Sequence, residues 1–74
     1  MGDKVRNHIK EQRLRHRLSQ EELARAVGVS RQSINSVERG RYTPSLRLAW
    51  RFARFFGCPT DDLFELQEEH ETWK

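Results

Sequence analysis

The chain has a single cysteine, Cys58, so it can form no internal disulfide, and a reducing, cytoplasmic location is expected. It has only two prolines, Pro44 and Pro59, and both fall where gaps between helices are expected. Only 35% of its 74 residues are hydrophobic, so the core must be compact, and one domain is the natural reading at this length. Arg and Lys interrupt every apolar stretch, which leaves none long enough to span a membrane. No basic-then-apolar leader opens the chain. Strand signals are few, and the sequence shows no repeat and no low-complexity segment.

Chemistry-bearing clusters are equally scarce. His8, His16 and His70 have no carboxylate, serine or cysteine at a spacing that suggests a catalytic triad, and Cys58 beside Pro59 reads as a small packing residue. No Cys/His group has metal-ligand spacing, and no glycine-rich phosphate loop occurs. An enzyme is not expected, nor is a metal or a cofactor.

Charge, by contrast, is plentiful and unevenly placed. Residues 1–57 hold 13 Lys or Arg against 5 Asp or Glu, a net +8, whereas residues 58–74 hold one Lys against 6 acids, a net −5. The basic body suits a polyanionic partner. The expected organisation is a domain over residues 1–66 followed by a polar, acidic tail over 67–74.

Five helices are predicted. The first runs from about Asp3 to His16 on a thin stripe of Val5, Ile9 and Leu14. Ser19-Gln20-Glu21-Glu22 is a capping box that opens the second, whose inner face is Leu23, Ala24 and Val27 and whose stop is Gly28. Ser30 caps a third, with Ile34 and Val37 inward and Gly40 as terminator. Arg41-Tyr42-Thr43-Pro44 is a loop. Ser45 caps a fourth helix reaching Phe56, with Leu46, Ala49, Phe52, Ala53 and Phe56 on one stripe, and Gly57 stops it. Thr60 caps a short fifth over Asp61-Asp62-Leu63-Phe64, its acids suited to the helix dipole.

The second and third helices are almost fused, with only Gly28, Val29 and Ser30 between them. Counting Gln20 as position one, Ala24 is fifth, Gly28 ninth, Ile34 fifteenth and Val37 eighteenth. Two helices that cross steeply need a small residue at the fifth position, and the turn needs a positive φ at the ninth. Val29, Ile34 and Val37 fill the crook. This is the spacing of a helix-turn-helix, which presents its second helix to a DNA major groove.

The stretch SQEELARAVGVSRQSINSVERGRYTPSL resembles the phage-repressor and Cro-like (Xre-type) family of transcription regulators, a likeness covering roughly Val5 to Phe64. The resemblance implies an all-α fold, a compact five-helix, lambda-repressor-like DNA-binding domain that acts as a homodimer. It also implies a phosphate contact at Gln20 and a pairing of Arg13 with Glu38 that joins the first helix to the end of the third.

A helical wheel separates the candidate DNA readers. With Ile34 and Val37 inward, Gln32, Asn35, Ser36 and Arg39 lie opposite, and Arg31 sits at the exposed N-terminal edge. Arg31, Gln32, Ser33, Asn35 and Ser36 are the candidate base contacts, because Gln and Asn match adenine and Arg matches guanine. Gln20, Arg39, Arg41, Tyr42 and Thr43 are the candidate phosphate contacts. Ser19, Ser30 and Ser45 serve mainly as caps.

One recognition helix touches few base pairs, so a homodimer on a palindromic double-stranded operator is expected, with a repressor as the expected role. Trp50 and Phe55 lie off the inner stripe of the fourth helix. With Leu63, Phe64, Leu66 and the more distant Trp73 they form the candidate dimer interface. The alternative is an antitoxin-type or protein-interaction module that uses this aromatic C-terminal half to dock a partner.

Overall fold

The computed structural model describes residues 4–67. The chain runs β1 (Lys4–Asn7), α1 (Ile9–Arg15), α2 (Gln20–Val27), α3 (Arg31–Glu38), α4 (Leu46–Phe56), α5 (Thr60–Leu63) and β2 (Phe64–Gln67). All five predicted helices are present. The two strands were not expected. They form an antiparallel pair in which Lys4 faces Gln67, Val5 faces Leu66, Arg6 faces Glu65 and Asn7 faces Phe64. The all-α reading therefore holds for the body of the fold, with a small sheet tying its two ends together.

This sheet corrects the expected first helix, which starts six residues later than Asp3. Asn7 marks the change: its Oδ1 accepts the Ile9 N–H at 3.1 Å and its Nδ2 donates to the Val37 carbonyl at 2.8 Å. One side chain thus starts α1 and ties it to the end of α3. With Ile9 fully buried, the residue four further on also points inward. That residue is Arg13, and Leu14, one position on, is 55% exposed rather than part of an apolar stripe.

Ser19 caps α2 as expected. Its Oγ accepts the Glu22 N–H at 3.0 Å, and the Glu22 carboxylate accepts the Ser19 N–H at 2.8 Å. These bonds favour the charged carboxylate and hold its pKa below the usual value. Ser30 and Ser45 cap α3 and α4 in the same manner. Thr60 is instead the first residue of α5, and Pro59 occupies the cap position without a side-chain bond.

The core gathers Ile9, Leu23, Ala24, Val27, Ile34, Val37, Leu48, Phe52, Ala53, Phe56 and Leu63. On α4 the inner face centres on Phe52, one turn from Leu48 and one from Phe56. Leu46, expected inside, lies about 120° from Phe52 around the helix and is 83% exposed. Leu63 was expected at a dimer interface, but it has no exposed surface, because α5 turns it onto the core. Phe64 is half-buried, its ring 6.2 Å from Phe52. The side chains of Val5 and Leu66 and all of residues 68–74, including Trp73, lie outside what the structure describes. β2 carries the backbone pairing through Gln67, one residue past the expected domain limit.

Candidate nucleic-acid interface

The corner between α2 and α3 is built from backbone geometry. Gly28 has φ +79°, and the N–H groups of Gly28 and Val29 both donate to the Ala24 carbonyl, at 2.8 and 3.0 Å. That closes α2 in a left-handed turn of a kind glycine adopts without penalty. Arg51 reaches across from α4, and its Nη1 donates to the Val27 carbonyl at 3.3 Å. The capping role of Arg51 has no local signature, since Arg51 lies 24 residues from Val27 along the chain. Ala24 is almost fully buried, Ile34 and Val37 wholly so, and Val29 packs against them.

With that face fixed inward, Arg31 and Gln32 on α3 and Arg39 at its C-terminal cap are exposed, and Ser33, Asn35 and Ser36 are half-buried on its flanks. The Ser33 and Ser36 flank borders a shallow groove lined by Ser30, Gln32, Ser33, Ser36, Arg41 and Tyr42. Candidate base-reading and phosphate-binding side chains therefore share one depression. Within it the Ser30 hydroxyl donates to Ser33 Oγ at 3.1 Å, so Ser33 is tied into the helix cap. Arg41, Tyr42 and Thr43 are exposed just past Gly40, and the Arg41 N–H donates to the Ser36 carbonyl at 2.9 Å. The segment after α3 is thereby folded back beside that helix.

The other flank is anchored by charge. Arg13 Nε and Nη2 donate to the two Glu38 carboxylate oxygens at 2.7 and 3.1 Å, and its Nη1 donates to the Leu18 carbonyl at 2.9 Å. The two side chains retain only 9% and 4% of their exposure. Gln20 joins this pair: its Nε2 donates to Glu38 Oε1 at 3.1 Å and, over a longer 3.4 Å, to Asn35 Oδ1. One phosphate candidate and one base candidate are thus in direct contact.

Trp50 and Phe55 lie away from α3. Trp50 is 54% exposed with the Arg54 guanidinium 4.9 Å from its ring centroid, and Phe55 is 40% exposed against Phe56 and His16. Cys58 is half-buried, and that burial pushes its thiol pKa up. Among the described residues no cluster of His, Cys, Asp and Glu is arranged to hold a metal, and no helix is long and apolar enough to cross a membrane.

Residues 9–63 match the family model described as helix-turn-helix. The chain is 45% identical over 65 residues to the uncharacterized HTH-type transcriptional regulator MJ0272 of Methanocaldococcus jannaschii, covering 88% of this chain and 98% of that protein. It is 33% identical over 64 residues to the cryptic phage CTXphi transcriptional repressor RstR of Vibrio cholerae, covering 86% of this chain and 55% of that one. Among solved structures it resembles the restriction-modification controller protein C.AhdI of Aeromonas hydrophila, with a TM-score of 0.69 and 31% identity over 74% of this chain and 83% of that one. On these likenesses, and with a helix-turn-helix corner that holds α3 outward, the chain belongs to the helix-turn-helix family as a DNA-binding transcriptional regulator of the phage-repressor and Cro-like (Xre) type.

Proposed function

We propose that the protein is a homodimeric repressor that reads a palindromic operator with α3 in the major groove. The observation that carries this reading is the outward polar face of Gln32 and Arg39, with Arg31 at its edge and Asn35 and Ser36 on its flanks, on a helix whose opposite face is locked into the core. Arg31, Gln32, Ser33, Asn35 and Ser36 contact base edges. Gln20, Arg39, Arg41, Tyr42 and Thr43 contact phosphates and set the register. The repressor role is supported by the likeness to RstR, itself a transcriptional repressor.

The dimer uses the exposed aromatic surface of α4, Trp50 and Phe55, with Phe64 and Leu66 as further interface candidates. Two solvated rings of this size are an unusual cost for a monomer, and a two-fold contact would remove both from water. The same rings are what an antitoxin-type partner contact would use, and sedimentation separates the two. A homodimer, free or on a palindromic duplex, supports the first reading. A monomer in both states refutes it.

The reading face is tested by a salt titration of two variants on operator and scrambled duplexes. Gln32→Ala removes a base reader, so it costs about 1–3 kcal/mol on the operator and little on scrambled DNA. Arg41→Ala removes a cation beside the DNA backbone, so both duplexes weaken by similar factors. The slope of log affinity against log salt then flattens by roughly 0.9 for each phosphate that is no longer neutralised. Equal losses for Gln32→Ala, or an operator-only loss for Arg41→Ala, would show the roles to be misassigned.

A further inference from the structure

A row of polar side chains runs from α1 through α2 to the flank of the reading helix, and each bond in it dictates the direction of the next. Arg13 is a guanidinium and can only donate, so Glu38 accepts with both oxygens, at 2.7 and 3.1 Å. Glu38 therefore has only acceptors to offer Gln20, which must turn its NH2 toward Oε1 at 3.1 Å. An amide NH2 has two hydrogens. The second is left for the 3.4 Å contact to Asn35, and an N–H needs an acceptor there. Asn35 must present Oδ1 to it. The near-complete burial of Arg13 and Glu38 keeps water from competing at the root of the chain.

We propose that this relay makes Asn35 a donor-only reader of DNA, with Gln20 as its positioning residue. The proposal rests on α3 being the reading helix. With the amide oxygen turned back toward Gln20, the end left free is Nδ2. Among the described residues no protein group engages it, and no buried polar side-chain atom lacks a partner, so Nδ2 reaches solvent. An unrestrained asparagine pairs with adenine through both ends of its amide, donating to N7 and accepting from N6. A restrained one keeps only the donation. It favours a base whose major-groove edge is all acceptor: guanine first, with N7 and O6, then thymine with O4. Cytosine, which offers N4–H2, meets a donor with a donor. The residue type alone points to adenine, and the relay moves that preference.

The test is selection of bound duplexes from a random pool by the full-length protein, by Gln20→Ala and by Asn35→Asp, with a melting curve for each to show that it is folded. For the wild type, one position in each half-site should hold guanine or thymine, and cytosine there should weaken binding about tenfold. Asn35→Asp keeps the shape but has only acceptors, so the preference at that position should move to cytosine. Gln20→Ala frees the Asn35 amide to turn and accept from adenine N6 as well, so the share of adenine at that position should rise and no other position should change. The inference is overturned if the wild type selects a consensus and neither variant alters it. It is equally overturned if Gln20→Ala weakens all sequences by one factor, which would make Gln20 a phosphate contact alone. If the wild type selects no consensus, the DNA-reading role of α3 falls first and takes the inference with it.

Discussion

Replacing Arg13 by methionine keeps much of the length of the side chain and removes its charge. In the folded protein Arg13 and Glu38 hold each other with two bonds, and only 9% and 4% of their side chains stay exposed. Arg13→Met leaves the Glu38 carboxylate buried with Gln20 as its remaining partner. It also strips the Leu18 carbonyl of its 2.9 Å donor. Removing one member of a buried ion pair costs about 3–5 kcal/mol, because the other charge is left uncompensated. At roughly 0.05–0.15 kcal/mol per residue, a domain of this size has on the order of 4–11 kcal/mol in total. The loss is therefore a large share of its stability, and at about 4–8 °C per kcal/mol the melting temperature should fall by roughly 12–40 °C. The assay is thermal melting followed by circular dichroism. The double variant Arg13→Met with Glu38→Leu separates two explanations. If the cost is a stranded charge, an apolar pair recovers most of it; if Arg13 merely fills space, Glu38→Leu adds a second injury. A single variant that melts within a few degrees of wild type (about 0–1 kcal/mol, as for an exposed ion pair) would refute the reasoning.

Two further predictions concern other parts of the frame. Gly28→Val places a β-branched residue at φ +79° with its Cβ 3.2 Å from Arg51 Nη1; the guanidinium can move but the backbone cannot, so a loss of about 1–3 kcal/mol is expected in chemical denaturation, and an unchanged midpoint would contradict the left-handed turn. His8 bonds Glu65 through Nε2 at 3.0 Å and Glu11 through Nδ1 at 2.8 Å, and these two carboxylates raise its pKa above 6.5. A raised folded pKa means that this clasp stabilises fully below the unfolded value and fades as pH rises through the folded one. The melting temperature should fall between about pH 6 and 8 more in wild type than in His8→Gln, and identical pH profiles would count against the clasp.

The helix-turn-helix was legible because every determinant is local. Ser19 and Glu22 cap within three residues, Gly28 directly follows Val27, and Ile34 and Val37 lie one turn apart, so periodicity and turn chemistry were enough. What escaped was set from a distance. β1 is four residues long and pairs with a strand 57 or more positions away, and neither strand alone carries a pattern distinct from a frayed helix end. Asn7 did carry a usable signal: an asparagine two residues before a buried aliphatic marks a helix start. Val5, four residues before Ile9, fits an earlier start equally well. Leu46 and Leu48 show a different limit. Both are leucines in the first turn of α4, and the face that turns inward follows from where Phe52 meets the rest of the core in three dimensions. Leu63 is ambiguous for the same reason, since an apolar residue near the end of a short helix fits either a core or an interface. The site divides likewise. The outward face of α3 follows from a wheel, whereas the contact of Gln20 with Asn35 depends on Glu38, placed by an arginine on another helix.

Two tasks are proposed for Gln20, and its place in α2 allows them to be separated. It is the first residue of the helix, directly after the Ser19 cap, so its own N–H has no intrahelical acceptor and is free to meet a phosphate. Its side chain meanwhile turns the other way, to Glu38 and Asn35. Gln20→Ala removes the side chain and keeps the N–H, so affinity for scrambled DNA should hold while selectivity relaxes. Gln20→Pro removes both. Proline is tolerated at this position because its missing N–H costs the helix nothing and its fixed φ suits the first turn. Ser19 already has ψ 166°, the extended geometry a residue before proline prefers. The two variants should therefore melt within about 1 kcal/mol of each other. On scrambled DNA they should differ: losing a hydrogen bond to a charged phosphate costs about 1.5–3 kcal/mol, roughly ten- to over a hundredfold in affinity per subunit. The salt slope should be the same for both, since no cation has been removed. Equal affinities for scrambled DNA would mean that the helix start does not touch the backbone, and that Gln20 acts through its side chain alone.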